Sequence, residues 1–276
     1  MLVPPLKTQG IKTRLAAFVL ESIRWDGRGR WIEPFLGSGA MLFNAAPERA
    51  LVADANPHVI AFHRALQDGA VDARTVEERL IEEGARLRER GESHYYAVRE
   101  RFNATHDPLD LLFLSRSCFN GVMRFNRRGG FNVPFCRKPE RFRRHLVTKI
   151  VNQVRAAARV MQGRDWQFIV QDWRETLAAA RGQDFVYSDP PYVGRHSDFY
   201  SRWSEEEAVA LAEATKKLPC GSATSLWYRN RHRENHHIEE HWGWARLRTK
   251  AHFYHVGSRE SLRGPIEEGL LVGDGG

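Results

Sequence analysis

Residues 30–46 read RWIEPFLGSGAMLFNAA, and this stretch indicates the fold class. A short apolar run is followed by a turn containing two glycines and then by a helical pattern from about Ala40. Residues 50–66, ALVADANPHVIAFHRAL, repeat this order, with a strand that ends at Asp54 and a second helix. Two successive strand–helix units are typical of an α/β protein.

The same alternation returns in the second half of the chain. The pattern predicts strands at QFIV (167–170), DFVYS (184–188) and GSATSLW (221–227), with helices from Asp172 and from Ser204 between them. Ser204 and Glu207 form the S-x-x-E capping box that marks a helix start. We therefore expect a mainly parallel sheet with helices on both faces.

The middle of the chain interrupts this alternation. Residues 71–90 and 107–119 have helical patterns with no strand signal between them, which predicts an inserted helical region. In residues 119–135, FNGVMRFNRRGGFNVPF, the central RRGG is suited to a hairpin turn. After Pro139 a long helix is expected, with an apolar residue every four positions at Phe142, Leu146, Ile150, Val154 and Ala158.

The net charge of +8 is concentrated in one segment. Residues 115–144 contain nine Lys or Arg and one acidic residue, Glu140, whereas acidic and basic residues balance in the rest of the chain. A patch of one sign attracts a polyanion. Four phenylalanines alternate with these arginines, a pattern typical of surfaces that bind nucleic acid; they are Phe119, Phe125, Phe131 and Phe135. We therefore expect DNA or RNA as a partner; the alternative is a soluble basic loop whose phenylalanines belong to the core.

Other protein classes are disfavoured by composition. The sequence has no apolar run of the roughly 18 residues that a membrane span needs, and its first residues lack the apolar core of a signal peptide, so we expect a cytoplasmic protein without a membrane partner. Cys118, Cys136 and Cys220 form no C-x-x-C pair, which indicates neither a disulfide framework nor a thiolate zinc site.

The glycine turn FLGSG, residues 35–39, lies between a strand and a helix, where glycine lets the backbone approach a ligand. The dinucleotide-binding fingerprint would need glycine in place of Leu42, so a nicotinamide enzyme is disfavoured. Asp54 ends the next strand, where a carboxylate can accept hydrogen bonds from a ribose diol. The alternative for Asp54 is a helix cap in front of Asn56 and Pro57.

The segment SDPPY, residues 188–192, is more specific. Two consecutive prolines cannot continue a helix or a sheet ladder, so they hold the chain rigid after the strand. Asp189 and the Pro190 carbonyl can each accept a hydrogen bond from one exocyclic amine, and Tyr192 can stack on a planar ring. This arrangement suits methylation of nitrogen. The alternative is a strand-ending turn with a tyrosine packed on the core.

Five motifs together resemble the Dam-type DNA adenine-N6 methyltransferases, the alpha-class enzymes with a DPPY motif. In order they are LKTQGIK (6–12), WIEPFLGSG (31–39), ADANPH (53–58), SRSCFNGVMRFNRRGGFNVPF (115–135) and YSDPPY (187–192). The resemblance implies a Rossmann-like S-adenosylmethionine-dependent methyltransferase sheet with an inserted helical target-recognition domain carrying a β-hairpin. The catalytic domain would comprise residues 1–56 and 145–276, and the inserted DNA-binding domain residues 57–144.

The resemblance also implies roles for individual residues. Catalysis would involve Asp189, Pro190, Pro191 and Tyr192. S-adenosylmethionine would be held by Lys12, Glu33, Pro34, Phe35, Gly37, Gly39, Asp54 and Asp172. DNA would be contacted by Lys7, Phe119, Asn120, Arg124, Arg127, Pro134 and Arg137. The family often has W-A-G-G-K where this chain has Thr8 to Lys12, so the aromatic residue expected at Thr8 is missing.

The implied function is transfer of a methyl group from S-adenosylmethionine to N6 of an adenine flipped out of double-stranded DNA, with a cognate restriction endonuclease as a potential functional partner. Three alternatives stay open: a cytosine-N4 methyltransferase, a catalytically idle DNA-binding regulator, and a cytosine-C5 enzyme that uses Cys220 of the Pro219–Cys220 dipeptide. DPPY has no use in cytosine-C5 chemistry, and we expect Cys220 to be a small buried residue. His232, His236, His237 and His241 lie close to Glu240, but their pattern matches no recognised ligand set, so no metal site is expected.

Overall fold

The computed structural model describes residues 1–192, 200, 203–230, 233–253 and 265–275. Within these residues, seven strands form one sheet. Their bounds are β1 (Trp31–Glu33), β2 (Arg49–Asp54), β3 (Asp165–Val170), β4 (Phe185–Ser188), β5 (Gly221–Asn230), β6 (Arg246–Phe253) and β7 (Pro265–Gly273).

The strand order across the sheet is β3-β2-β1-β4-β5-β7-β6. The first five strands are parallel, whereas β7 runs antiparallel to both β5 and β6. The chain adds β2 and β3 on one side of β1, and then β4 and β5 on the other side. The fold is therefore Rossmann-like, as the sequence predicted, and its topological switch point lies between β1 and β4.

Helices cover the sheet and form the middle of the chain. Their bounds are α1 (Ala16–Ser22), α2 (Ala40–Ala45), α3 (Pro57–Gln67), α4 (Ala73–Arg90), α5 (Glu92–Thr105), α6 (Pro108–Ser117), α7 (Arg144–Met161), α8 (Trp173–Ala178), α9 (Glu205–Lys216) and α10 (His236–His241). Short 3-10 turns lie at Lys12–Arg14, Phe119–Gly121 and Pro139–Phe142. Among the described residues, every helix is too short or too polar to cross a lipid bilayer.

The two central strands, β1 and β4, are buried along their whole length. Burial on both faces is expected for parallel strands that carry helices on each side. Trp31 of β1 stacks on Phe185 and Tyr187 of β4, with ring centroids 5.5 and 6.0 Å apart. These three rings pack together on one face of the sheet, on the two strands that flank the switch point.

Several helices begin at the side chains that the sequence indicated. Asp172 caps α8 by accepting a hydrogen bond from the Arg174 N–H, and Ser204 caps α9 by accepting one from the Glu207 N–H. The predicted start at Ser204 is thus confirmed, but the Glu207 carboxylate binds elsewhere. It accepts hydrogen bonds from Trp173 Nε1 at 3.0 Å and from the Arg174 guanidinium at 2.7 Å. The carboxylate therefore ties α9 to α8.

The apolar stripe of α7 is rotated relative to the predicted one. Ile150 and Val154 are buried as expected, but Leu146 and Ala158 are only partly buried. The remaining buried positions are Val147, Val151, Gln153, Ala157 and Met161. A strict spacing of four residues drifts around a helix of 3.6 residues per turn, so the buried face follows spacings of both three and four.

The helical middle of the chain shares one continuous apolar core with the sheet. The core includes Val52 and Phe168 from the sheet, and Leu80, Phe102 and Leu112 from α4, α5 and α6. Helix α3 lies against the sheet edge, since its Arg64 donates to the Phe168 carbonyl and its Gln67 donates to the Trp166 carbonyl. The division of the chain at residue 57 stays a prediction.

Candidate active site

The carboxyl ends of β1 and β4 meet at the topological switch point. Trp31 is paired with Phe185 and Ile32 with Val186, so the segments that follow the two strands leave the sheet side by side. Ligands of open α/β sheets bind in the crevice at this position. The glycine turn 35–39 and the segment 188–192 therefore lie at neighbouring strand ends, as their place in the sequence predicted.

The turn after β1 uses glycine at two positions with left-handed backbone conformation, Gly37 (φ +50°) and Gly39 (φ +74°). A Cβ at Gly39 would lie 2.9 Å from the Phe43 ring and 3.2 Å from the His63 ring, whereas a Cβ at Gly37 would meet nothing within 4 Å. The absence of a side chain at Gly39 thus allows the turn to pack closely against α2 and α3. Gly37 leaves open space, which allows a ligand to approach the backbone closely.

Asp54 ends β2 and faces the same turn. Its Oδ2 accepts a hydrogen bond from the Gly37 N–H at 2.8 Å, and its Oδ1 accepts one from the Asn56 N–H at 2.8 Å. Helix α3 is capped by Asn56, whose side chain accepts a hydrogen bond from the His58 N–H at 3.0 Å. The helix-cap alternative for Asp54 is therefore wrong. Its carboxylate instead joins the ends of β1 and β2.

His63 of α3 supports this turn from the core side, and sequence reasoning did not single it out. The ring is fully buried and stacks on Phe168 with centroids 5.5 Å apart. Burial lowers the pKa of His63 to about 4. The neutral ring donates from Nε2 to the Gly37 carbonyl at 3.0 Å. A buried hydrogen bond therefore fixes the carbonyl of Gly37, the glycine that borders open space.

Asp189 leaves the end of β4 and forms an ion pair with Lys12, with Nζ and Oδ1 2.9 Å apart. Lys12 is 4% exposed and Asp189 is 23% exposed. The same ammonium lies 2.9 Å from the Tyr192 hydroxyl and 3.3 Å from the Gly10 carbonyl. The structure thus brings Lys12, a predicted cofactor residue, into direct contact with two residues of the DPPY segment.

Glu33 is a second buried acid close to Asp189. Its Oε1 accepts a hydrogen bond from Trp31 Nε1 at 2.6 Å. Burial, with a smaller contribution from the charge of Asp189, raises the pKa of Glu33 to about 8. Burial also raises the pKa of Asp189, although the Lys12 charge lowers it in part. Ionised carboxylates repel one another in such a site, so a cationic ligand would be favoured there.

A third buried acid, Glu268 of β7, completes this group, and sequence reasoning missed it. The Tyr192 hydroxyl donates to Glu268 Oε2 at 3.0 Å. The contact joins residues 76 positions apart, and the local sequence PIEEGLLVG contains no motif that would indicate it. The antiparallel pairing of β7 with β5 brings Glu268 to Tyr192 of the DPPY segment.

A cavity of about 250 Å³ borders the DPPY segment. Its lining includes Pro190, Pro191 and Tyr192 on one side, and Leu226 and Trp227 of β5 on another. The remaining described residues around it come from the segment before α9, from α9 itself and from the region of α10. Aromatic and apolar side chains thus line part of a space beside Tyr192, and polar side chains, mainly glutamates and histidines, line the rest.

Three other residues of the predicted cofactor group have different surroundings. Pro34 is buried, and the half-buried Phe35 ring meets Trp203 edge-on with centroids 5.4 Å apart. Asp172 is exposed at the end of β3, and its side chain caps α8. Their contact with a cofactor stays a prediction.

The basic segment folds into a hairpin at the predicted RRGG position. The Asn126 N–H donates to the Gly130 carbonyl at 2.8 Å, and the Asn126 side chain accepts hydrogen bonds from the N–H groups of Arg128 and Gly130. Asn103 of α5 binds both the N–H and the carbonyl of Phe131, at 2.7 and 3.2 Å. The hairpin is therefore anchored to the helices through its backbone.

The expectation that the four phenylalanines form a nucleic-acid surface is wrong for three of them. Phe125, Phe131 and Phe135 are buried, whereas Phe119 is 53% exposed. Phe131 packs edge-on against Phe102 and Phe125. The alternation of arginine and phenylalanine thus reflects a small apolar core on the inner side of the hairpin.

Six of the seven predicted DNA-contacting residues are exposed to solvent, whereas Lys7 is only partly exposed. Those exposed to solvent are Phe119, Asn120, Arg124, Arg127, Pro134 and Arg137. Arg124 donates from Nε to Asn132 Oδ1 at 2.9 Å, which fixes its direction on the hairpin. Lys7 passes over Gly121, where a Cβ would lie 2.6 Å from its Cε. Lys7 therefore lies beside the Phe119–Gly121 turn.

Two of the nine basic residues in the segment 115–144 are only partly exposed. The Arg116 guanidinium donates to the Pro5 carbonyl and to Gln153 Oε1, so it ties the amino-terminal segment to α7. Arg141 is the other partly exposed residue, and Arg143 pairs with Glu140 at 2.8 Å. The exposed positive charge is therefore concentrated on the hairpin and the segment that follows it.

Two alternative sites are weakened by the structure. Cys220 is buried, and burial raises the pKa of its thiol to about 11, which disfavours a nucleophilic thiolate. Among the described residues, no three potential ligands are arranged to bind a metal. His236 is exposed, and the His237 and His241 rings lie 4.7 Å apart; His232 lies outside the described residues.

Comparisons with known proteins agree with the motifs. The sequence model of the D12 class N6 adenine-specific DNA methyltransferases matches residues 9–255. DNA adenine methylase of Vibrio cholerae serotype O1 is 34% identical over 201 residues, which are 67% of this chain and 66% of that protein. Type II methyltransferase M.MjaIII of Methanocaldococcus jannaschii is 28% identical over 246 residues, which are 78% of this chain and 80% of that protein.

A third relative, DNA adenine methylase of Serratia marcescens, is 32% identical over 171 residues, covering 59% of this chain and 57% of that protein. The matched region thus spans about two thirds or less of the two DNA adenine methylases. Because the family model covers most of the chain and the site lies at the switch point of the expected sheet, the chain belongs to the D12 class of N6 adenine-specific DNA methyltransferases.

Proposed function

We propose that this chain methylates N6 of an adenine that is flipped out of duplex DNA, with S-adenosylmethionine as the methyl donor. The observation that carries the proposal is the position of Asp189 to Tyr192 directly beside the open glycine turn at the switch point. A donor bound at the turn and an amine held by the DPPY segment would be neighbours. Positioning of this kind supplies much of the catalysis in a two-substrate transfer.

The crevice fits S-adenosylmethionine in shape and charge. We assign its binding to Lys12, Glu33, Pro34, Phe35, Gly37, Gly39, Asp54 and Asp172. Gly37 offers open backbone, and the Asp54 carboxylate, which accepts hydrogen bonds from two backbone N–H groups of this region, is of the chemical type that binds ribose hydroxyls. The acidic surroundings of Asp189 favour a cation. When bound, the donor supplies an electrophilic methyl group on a positively charged sulfur.

The residues of the DPPY segment would hold the target base. Asp189 and the Pro190 carbonyl accept the two hydrogens of the N6 amine, which directs the nitrogen lone pair out of the ring plane. Tyr192 stacks on the purine, and the cavity beside it leaves room for a planar ring. Lys12 fixes the Asp189 carboxylate. The raised pKa of Asp189 suits this group to hold the proton that the amine loses.

Adenine is out of reach inside a duplex, and extrusion of the base costs on the order of a few kcal/mol. We assign this work to the region 57–144 as a target-recognition domain. Phe119 and Asn120 would enter the duplex beside the flipped base, and Arg124 and Pro134 would read base edges. The DNA backbone would be contacted by Lys7, Arg127 and Arg137. The exposure of all these residues except the partly exposed Lys7 supports this assignment.

The experiment is methylation of duplex oligonucleotides by the purified chain with labelled S-adenosylmethionine, followed by mass spectrometry of the nucleosides. N6-methyladenine is the expected product. N4-methylcytosine would assign the cytosine-N4 alternative, and DNA binding without any methylated nucleoside would assign the idle regulator. Sequencing of modified bases in a host that lacks adenine methylation would then give the recognition sequence, for which GATC is the family expectation.

A cognate restriction endonuclease is a further partner to test, because one relative is named a type II methyltransferase. Plasmid DNA methylated by this chain should resist the endonuclease that recognises the same sequence. Cleavage at fully methylated sites would reject this partnership.

A further inference from the structure

Glu268 is a buried acid for which the chemistry proposed above has no use. It lies in β7, is 2% exposed, and accepts a hydrogen bond from the Tyr192 hydroxyl at 3.0 Å. In the sheet it is directly opposite Trp227 of β5 and Lys250 of β6. Trp227 lines the cavity beside Tyr192. Glu268 therefore reaches the DPPY segment from the antiparallel half of the sheet.

Burial of the Glu268 carboxylate lowers the stability of the folded protein unless its contacts compensate for the cost. Removing a charged group from water is costly, and its partners must compensate for the cost. The charge of Glu268 also contributes to raising the pKa of Asp189. A carboxylate that accepts a hydrogen bond from a phenol can, however, fix the direction of that phenol.

The Tyr192 hydroxyl is held from two sides. Its oxygen accepts a hydrogen bond from the Lys12 ammonium at 2.9 Å, and its proton is donated to Glu268. At the other end of the residue, Pro190 and Pro191 restrict the backbone. The residue is thus restrained at both ends, and because a phenol O–H lies close to the plane of its ring, the two partners of the hydroxyl also favour one orientation of that plane.

We propose that Glu268 is a positioning residue that fixes the plane of the Tyr192 ring for stacking on the flipped base. The inference rests on the proposed function, because it assumes that Tyr192 stacks on the adenine. Glu268 acts through Tyr192 and does not touch the reacting atoms.

The first test compares two substitutions at this position. Glu268→Gln keeps a carbonyl acceptor for the phenol, so kcat/KM for DNA should stay within about threefold of the wild type. Glu268→Leu removes the acceptor, and kcat/KM should fall about 10- to 100-fold, the equivalent of losing one hydrogen bond to a charged group. Equal activity of Glu268→Leu and the wild type would reject the inference, as would equal losses in the two variants.

The second test is a double-mutant cycle with Tyr192→Phe, which keeps the ring and removes the hydroxyl. In the Tyr192→Phe background, Glu268→Leu should cost less than about threefold, because the hydrogen bond is already absent. Losses that multiply across the two sites would show that Glu268 acts by another route. This cycle also covers the case in which Glu268→Leu folds poorly, since it is repeated with Glu268→Ala.

The third test measures, by fluorescence, how well the target base stacks on Tyr192. With 2-aminopurine at the target adenine, a base stacked on Tyr192 is quenched, so the complex with Glu268→Leu should be brighter than the complexes with wild type and with Glu268→Gln, at equal DNA affinity. Unchanged emission would contradict the inference.

Glu267 provides the matched control. It is the neighbour of Glu268 on the same strand, and its carboxylate binds Arg229 at 2.5 Å and Thr249 at 3.1 Å. Glu267→Gln and Glu267→Leu should leave kcat/KM and 2-aminopurine emission unchanged. If the wild type itself forms no N6-methyladenine, the proposed function fails; if the wild type is active and Glu268→Leu is equally active, only the positioning role fails.

Discussion

The ammonium of Lys12 lies 2.9 Å from Oδ1 of Asp189, and both groups are withdrawn from solvent. The pair joins the 3-10 turn Lys12–Arg14 near the amino terminus to the end of β4. Lys12 therefore stabilises the folded site as well as orienting the carboxylate.

Asp189→Ala should reduce methyl transfer by about 10²- to 10³-fold, the usual effect of removing one preorganised polar contact. It should also lower the free energy of unfolding by about 1–3 kcal/mol, because Lys12 loses its ion-pair partner in a buried position. Asp189→Asn keeps an acceptor for Lys12 and should recover most of that stability. Initial rates and urea denaturation measure the two effects.

The control for Asp189 is Asp184, at the opposite end of β4. It pairs with Arg30 at 2.7 Å. Asp184→Ala should lower stability without changing kcat of the folded enzyme. Normal turnover by Asp189→Ala would contradict a catalytic role for that residue.

Gly37→Ala and Gly39→Ala should separate ligand binding from folding. Both positions have positive φ, so each alanine costs about 1–2 kcal/mol of backbone strain. At Gly39 the methyl group would also clash with Phe43 and His63, and we expect the larger loss in melting temperature there. At Gly37 the methyl group would enter open space, so the main effect should be weaker binding of S-adenosylmethionine in calorimetry. Unchanged affinity in Gly37→Ala would place the cofactor elsewhere.

His63 should make the folded state sensitive to acid. Its folded pKa is about 4 and its ordinary pKa is 6.5, so between these values the unfolded chain binds more protons. The free energy of unfolding is therefore unaffected by His63 above pH 6.5 and decreases as the pH falls from 6.5 towards 4, by about 3 kcal/mol in total. His63→Gln keeps a donor for the Gly37 carbonyl and should flatten this decrease in urea denaturation curves recorded from pH 7 to 4.5.

His58 has the same direction of shift, with a pKa lowered to about 4 by burial and by the charge of His106. His58→Gln is therefore the comparison for His63→Gln, and each should remove part of the acid sensitivity. An identical pH slope in wild type and His63→Gln would show that His63 is solvated in the folded state.

Arg124 and Arg143 should differ in their effect on DNA recognition. An arginine that contacts guanine discriminates by about 1–3 kcal/mol, so Arg124→Ala should relax the preference at one position of the recognition site. Arg143 lies outside the hairpin and is paired with Glu140, so Arg143→Ala should weaken binding to all sequences by a similar factor, with a reduction in salt slope of at most about one unit. Methylation of cognate and singly substituted duplexes at several salt concentrations measures both. A change of site ranking in Arg143→Ala alone would reverse these roles.

Chelation should leave turnover intact, because the proposed transfer uses no metal and the described residues contain no group of three metal ligands. Preincubation with EDTA, followed by the standard assay, measures this. A loss of activity that zinc restores would assign a function to the histidines around α10.

The strands and the glycine turn were predictable because each depends on a few consecutive residues. The short apolar runs at β1, β2 and β4 end in polar or glycine-rich segments, and the parallel arrangement follows from the helices between them. Asp189 and Gly37 could be singled out on the same local basis. Their proximity then follows from the strand order.

Contacts between distant segments could not be read from local patterns. Lys12 was expected beside a cofactor, and its ion pair with Asp189 depends on how the amino-terminal turn meets β4. Glu268 and His63 lie in segments without recognisable motifs. Their hydrogen bonds to Tyr192 and to Gly37 depend on the three-dimensional packing of the chain. The prediction of exposure was wrong for Phe125, Phe131 and Phe135 for a related reason. Alternation of phenylalanine with arginine occurs both in an exposed aromatic surface and in a hairpin that has one apolar face and one charged face.

The hydrogen bonds from Asn103 to Phe131 use only the main chain of the hairpin, and the inward phenylalanines supply its packing. Arg124 also binds Asn132 across the hairpin, whereas the exposed side chains at positions 127, 128 and 134 contribute little to that support. They can therefore be exchanged during evolution, or in directed selection, at a small cost in stability. Under the proposed function, new target sequences would become accessible to the same scaffold through a few surface substitutions, while the segments proposed for methyl transfer stay unaltered.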